Sequence, residues 1–400
     1  MIAILSRYTL RFRRLVVAGL VFGAVVIPAD THGQVPPPTV TVSFGIDTTL
    51  KDVGGIIRLV RAYLANPDSS ARSRGLWSTA TGFDRRVGDL TTEAYQGFPA
   101  TIIGVASDGP GDSVYVVRVL YARADSTGGN IFPLALQRLY AVRESGAEFG
   151  FRLEGALPRL TQGWEHRSKG RVTFWYAPGQ HPNPGKISYT SAFVDSVAVL
   201  FHVPPPRHVD MYVAGSMEEA QRAIGLDFFP AASADRSRGG RALQGGIVLA
   251  GDPGVGEGYV HEVVHVVLGP TFTTRNRLFA EGVATWLGGS RGHTTREMYA
   301  ILRRIQAAHP ALTLGQVLTN DIPDAIAEER TQAFYATGAL VVDTVYRRSG
   351  ITGLRALAQL NNDPNALLPA LPAQLGLDAP HQVTLDQWWR IQATRLSGVR

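Results

Sequence analysis

Residues 258–270 read "GYVHEVVHVVLGP", and how this stretch folds decides the reading of the whole chain. Its five valines favour a strand, but that preference is worth only tenths of a kcal/mol per residue and yields to tertiary context. Geometry discriminates more sharply. In a strand, His261 and His265 would share a face about 13 Å apart, at a rise of roughly 3.3 Å per residue, too far for one ion. In a helix, positions four apart are neighbours with Cβ atoms about 5–6 Å from each other. Both imidazoles can then reach one Zn²⁺ at about 2.0–2.1 Å. The valines become the sides of a buried helix that Gly269 and Pro270 end. The spacing predicts a helix carrying two metal ligands.

His-Glu-x-x-His has a mechanism attached. Two neutral imidazoles leave zinc needing a third protein ligand and an open position for water. The metal lowers the water's pKa and polarises a scissile carbonyl, while Glu262 takes the proton as general base and passes it to the leaving amine. The chain has no cysteine, so the third ligand is His, Asp or Glu. No aspartate occurs between Asp252 and Asp321, and position 271, where the metzincin pattern needs histidine, is Thr271. Glu281, Glu297 and His293 remain. Glu281 sits in "RLFAEGVATWLGG" with apolar residues all around it. A lone carboxylate on such a helix is costly unless it is paired or bound to metal, which favours Glu281 as ligand. Pairing with an arginine, or capping a neighbouring element, is the competing role. Glu297 lies in polar "HTTREMY" and His293 follows "GGSRG", contexts that suit a surface and a loop.

"HEVVH" followed by "FAEGVATWL" resembles the gluzincin metallopeptidases, and more closely the bacterial "peptidase MA-like" group, whose second helix carries a Glu-Gly pair. The resemblance covers about 170–360, with its specific motifs confined to 258–290. It implies one Zn²⁺ per chain, His261, His265 and Glu281 as ligands, Glu262 as base, and a peptide or protein substrate. It also implies a substrate-pairing strand, for which Ile247–Ala250 in "GGIVLAG" is the candidate, and an oxyanion donor, for which Tyr335 in "QAFYATGALVV" is the candidate. The Gly-x-Met-Glu-Asn signature of aminopeptidases is absent upstream of His261, so recognition of a free N-terminus is not implied.

Outward from the motif, the chain reads as α+β. Residues 50–66 carry apolar positions at helical spacing, and "ATIIGVAS", "SVYVVRVLYAR", "LALQRLYAVRES" and "EFGFRLEGA" read as strands. Together they predict an N-terminal helix-plus-antiparallel-sheet domain over 40–160. Its element order resembles the cone-shaped folds related to nuclear transport factor 2; no catalytic constellation stands out in it, so targeting, dimerisation or shielding is the role expected. A polar stretch near 160–168 reads as a boundary, and 168–398 as the metallopeptidase domain. That domain opens with the strands "RVTFWYAPG" and "HVDMYVAG" and becomes almost wholly helical from 256. Trp388 and Trp389 sit in a C-terminal cap.

The first 33 residues combine Arg7, Arg11, Arg13 and Arg14 with an apolar run from Leu15 to Ile27 and small residues before Gln34. This predicts a cleaved signal peptide over 1–33 and a periplasmic or secreted protein. The run is shorter than the roughly 20 residues a spanning helix needs, so no stable membrane insertion is expected after cleavage. The net charge of +6 comes from scattered arginines, with only Lys51, Lys169 and Lys186 as lysines. No basic stripe interleaved with aromatics is present, which argues against nucleic acid as a partner. The alternative to a peptidase is a non-catalytic module of the cell envelope, braced by zinc, that binds peptides or assembles with partners. An intact Glu262 argues against it, because a structural site has no use for a base.

Overall fold

Alternation along the strands sorts the side chains into layers. The structure, a computed structural model, describes residues 40–65, 75–78, 98–124, 130–229, 239–272, 276–319, 321–322, 329–377 and 383–398. The signal segment expected over 1–33 lies outside the described residues. In the first sheet β1 (Val40–Val42), β2 (Ala100–Ser107), β3 (Val114–Ala124), β4 (Ile131–Arg143) and β5 (Phe151–Glu154) follow in sequence order. β2 to β5 form an antiparallel meander, and β1 lies parallel to β2. The amphipathic helix forms over Lys51–Ala65. It buries Ile56, Leu59, Val60 and Tyr63 in one cluster with Ile102, Val117, Val119 and Leu153 of the sheet.

The second sheet has the order β10 (Gly240–Leu243), β11 (Ile247–Ala250), β8 (Val209–Val213), β7 (Val172–Tyr176) and β6 (Glu165–Lys169). β11, β8 and β7 are mutually parallel, and the two edge strands run antiparallel to them. The polar stretch read as a boundary therefore carries a strand. All five residues of β6 are exposed, and an edge strand wetted on both faces shows no apolar alternation to read.

The two faces of this sheet serve different cores. Val172, Phe174, Met211, Val213, Val248 and Ala250 face the helical half of the chain. Tyr212, Ile247 and Leu249 face the N-terminal unit and pack in its cluster. Burial on both faces explains why β8 and β11 are wholly buried and why β11 reads as an unbroken apolar run, while β8 is apolar except for Asp210. The connection is tighter still at β9 (Leu226–Phe228), which leaves the second unit to pair antiparallel with β4. There the Arg138 N–H donates to the Gly225 carbonyl at 2.7 Å, and Arg138 pairs with Asp227. Units that look separate in sequence share a core and a sheet.

The described residues contain eleven α-helices, seven of them after residue 256, so the molecule is mixed α+β with a helical C-terminal half. Helix Leu385–Leu396 docks through Trp389, which is fully buried and donates its Nε1–H to Thr337 Oγ1 at 3.0 Å. No helix among the described residues is long and apolar enough to cross a membrane.

Candidate metal centre and active site

The stretch 258–270 is a helix, Val260–Leu268 (hereafter the HEVVH helix), and all of its valines and Leu268 are buried. His261 and His265 project from one side a turn apart, their ring centroids 5.1 Å apart and their planes at 74°. The next helix, Arg277–Gly288 (the Glu281 helix), starts at Asn276, whose side chain accepts from the Phe279 N–H. It ends at a pair of glycines that the site requires. A Cβ on Gly288 would sit 2.8 Å from the His261 nitrogen. Gly289 has φ +69°, and a Cβ there would sit 2.0 Å from the His293 carbonyl oxygen. With both side chains absent, the Gly289 carbonyl lies 2.8 Å from His261 Nδ1.

That contact fixes the tautomer. Facing a carbonyl, Nδ1 must carry the proton, so the Nε2 of a neutral His261 presents a lone pair. Nε2 points at Glu281 Oε2, 3.2 Å away, and the same oxygen lies 3.6 Å from His265 Nε2. Lone pairs converging on a carboxylate oxygen repel each other unless a proton or a cation lies between them. In the protein without metal a proton does this. Burial works against charge on His265, but Glu281 more than offsets it and raises its pKa to about 9. Burial likewise pushes the Glu281 carboxyl up, and the two imidazoles more than reverse this, holding it far below the usual carboxylate range. Two imidazole nitrogens and one carboxylate within 4.8 Å of one another form a three-donor set that fits a zinc ion with an open position.

The rival third ligands are committed elsewhere. Glu297 forms a capping box with Thr294 at the start of helix Thr295–Ala308. His293 closes a two-residue hairpin with Ser290, through reciprocal backbone bonds of 2.9 Å.

Glu262 follows His261 on the HEVVH helix, and its Oε2 accepts the Ala242 backbone N–H at 2.9 Å. Ala242 belongs to β10, an outer strand of the second sheet. This corrects the expectation that Ile247–Ala250 pairs with substrate. β11 is flanked by β10 on one side and β8 on the other and has no free edge. The polar sequence "RSRGGRALQ" hides β10, and the only local signal is Gly245–Gly246, both at φ +76°, turning it back onto β11. Tyr335, on the long helix Arg330–Ala358, stacks on His261 with centroids 5.5 Å apart and planes at 9°. Burial, then the Glu281 and Glu262 charges, raise its hydroxyl pKa well above the ordinary tyrosine value and keep it a phenol. The long helix meets the Glu281 helix backbone to backbone, since a Cβ on Gly282 would lie 2.6 Å from the Gly338 carbonyl carbon and oxygen. Sequence reasoning missed this glycine pair and the Gly289 carbonyl. Adjacent glycines at 288–289 were the signal for the second.

No protein-family model matches the chain, and no curated relative matches it. Among solved structures it is similar to a point mutant of the M1 zinc metallopeptidase from Deinococcus radiodurans. That likeness has 15% identity and a TM-score of 0.32, and covers 74% of this chain and 64% of that one. The same mutant bound to a Tyr-Ser-Ala substrate gives 14%, 0.32, 74% and 63%. The chain thus spans a little under two thirds of the length of these structures, and a likeness of this size carries no argument about activity.

Proposed function

We propose that the chain is an exported zinc-dependent metallopeptidase, periplasmic or secreted, that hydrolyses peptide bonds with one Zn²⁺ held by His261, His265 and Glu281. The observation that carries this reading is the convergence of two Nε2 atoms and one carboxylate oxygen beside Glu262, whose carboxylate belongs to no ion pair among the described residues. Zinc bound by such a set acidifies a water and polarises a carbonyl. Glu262 is the general base, taking the proton of the attacking water and giving it to the leaving amine. Its bond to Ala242 places it against an outer strand, where an extended peptide can add itself through main-chain bonds. Tyr335, kept protonated, is the donor to the developing oxyanion. The N-terminal unit backs the second sheet, a shielding role rather than a chemical one.

The test is Glu262→Gln in the full chain, with zinc measured by elemental analysis and peptide turnover by mass spectrometry. The variant should keep one zinc per chain and lose turnover by at least about a hundredfold. Wild-type protein that retains zinc yet cleaves no member of a broad peptide library would favour the non-catalytic module instead.

A further inference from the structure

A cleft of about 270 Å³ opens at the N-terminal end of the HEVVH helix, with His261 as the wall it shares with the metal ligands. Lys186, Arg291 and His293 line it, and among the described residues none of its lining side chains is acidic. Two of the carboxylates nearest in sequence are spent elsewhere. Asp252 Oδ1 accepts from the Gly254 N–H at 2.9 Å, and Glu257 Oε1 accepts from the Tyr176 hydroxyl at 3.0 Å and the Asn183 N–H at 2.7 Å.

The donors, by contrast, keep capacity to spare. Lys186 Nζ gives one bond, to the Gly254 carbonyl at 2.9 Å, which leaves two N–H groups. Arg291 is half-buried and makes no ion pair or side-chain hydrogen bond among the described residues. Its backbone sits at φ +53° beside Gly292 at +78° in the Ser290–His293 hairpin, a left-handed conformation uncommon for arginine and often found at ligand-binding positions. Ser290 lines the same wall with 4% of its surface exposed, and its hydroxyl makes no hydrogen bond among the described residues. Tyr259, which precedes the helix, gives it no side-chain cap, so the first turn faces the cleft with its positive dipole end.

We infer that this cleft binds a carboxylate of the peptide substrate, with Arg291 as the main contact and Lys186 and Ser290 beside it. This rests on the peptidase reading and deepens it. Because His261 belongs to both sites, the bound carboxylate lies within a residue or two of the scissile bond. The enzyme then prefers peptides ending, or carrying an acidic side chain, close to the cleavage point.

Binding and turnover separate this inference from the reading beneath it. Zinc-loaded Glu262→Gln protein is titrated with three N-acetylated peptides of one sequence, ending in a free carboxylate, ending in a carboxamide, or amidated with glutamate replacing the last residue. The free-carboxylate or the glutamate peptide should bind at least about tenfold tighter than the plain amide, and which of the two does so identifies the source of the charge. Adding Arg291→Gln should abolish most of that preference and Arg291→Lys should restore part of it. Should Arg291→Gln not fold, Lys186→Gln should reduce the preference in the same direction. Equal affinity for all three peptides, or a preference untouched by both substitutions, overturns the carboxylate site. Cleavage of all three by wild-type protein with equal efficiency overturns it too and leaves the peptidase reading standing. No cleavage of any peptide by the zinc-loaded wild type overturns the peptidase reading, and the titration still decides the cleft.

Discussion

Gly282→Ala should cost the protein stability and zinc affinity together, although alanine is the better helix former. The Glu281 helix is held between two backbones. Gly282 lies against Gly338 of the long helix, and six residues on Gly288 lies against the His261 backbone. The new methyl would stand 2.6 Å from the Gly338 carbonyl carbon and oxygen, whereas carbon contacts settle near 3.5–4.0 Å, so the helices must part by about 1 Å. Overpacking of this kind costs about 1–3 kcal/mol, against which alanine returns at most about 1 kcal/mol of helix propensity. Glu281 immediately precedes Gly282, and the contact at Gly288 prevents the helix from retreating without disturbing His261. A ligand carboxylate displaced by that much should weaken zinc about 10- to 100-fold, the scale seen when a ligand loses its orienting support. Competition against a chromophoric chelator reads the affinity, and thermal unfolding of the zinc-free protein reads the stability. Gly54→Ala is the control, because Gly54 is also helical but a Cβ there has 3.4 Å to its nearest neighbour. It should be neutral or stabilising. If Gly282→Ala behaves as Gly54→Ala does in both assays, the backbone contact does not position Glu281 and the argument fails.

Three further outcomes follow from the same geometry. In the zinc-free protein His265 holds its proton up to about pH 9, and zinc must displace it. Apparent zinc affinity should therefore climb by about tenfold per pH unit from neutrality toward pH 9, and a flat profile over that range would remove the Glu281–His265 contact from the account. Glu281→Gln takes away the main partner that raises His265 and leaves burial opposed only by the Glu262 charge, so the ring should titrate well below its value in the parent protein when followed by NMR in zinc-free protein. Tyr335→Phe should retain zinc and its melting temperature while turnover falls by about 10²- to 10³-fold; an equal loss of zinc would make Tyr335 a support for His261, on which it stacks, rather than a donor.

Local signals carried far in some places and failed in others for identifiable reasons. The helix at 51–65 and the strands at 100–107 and 114–124 declared themselves because each has one wet face and one dry face. The shared core of the N-terminal unit and the second sheet was not legible. Tyr212, Ile247 and Leu249 alternate with residues that face the helices, and a run buried on both faces reveals that a partner exists but not which one. β9 and β10, three and four residues long, are too short and too polar to stand out, yet one joins the first sheet and the other holds Glu262. Within the site, the spacing of His261 and His265 and the apolar setting of Glu281 were readable. The carbonyl that orients His261 was not, because it comes from a glycine 28 residues away.

The HEVVH helix is where local preference and packing disagree, and the disagreement bears on how the site opens. Five valines cost at most about 3.5 kcal/mol in helix propensity relative to alanine. Burying them returns roughly 1.5–3 kcal/mol each, several times the penalty, so a nine-residue segment too short to persist alone is helical only while the core around it is intact. Two consequences oppose fraying at His261 and His265. The β-branched side chains are stiff about χ1, so the sides of the helix are locked by packing, and the two histidines inherit a rigid platform. The same valines share one buried cluster with Phe279 and Val283 of the Glu281 helix and with Met211 and Val248 of the second sheet. Separating His261 from Glu281 therefore exposes surface in three elements at once. Hydrogen exchange at the HEVVH amides should accordingly report global unfolding even without zinc, and fast local exchange there would mean that the ligands are assembled by the metal rather than by the fold.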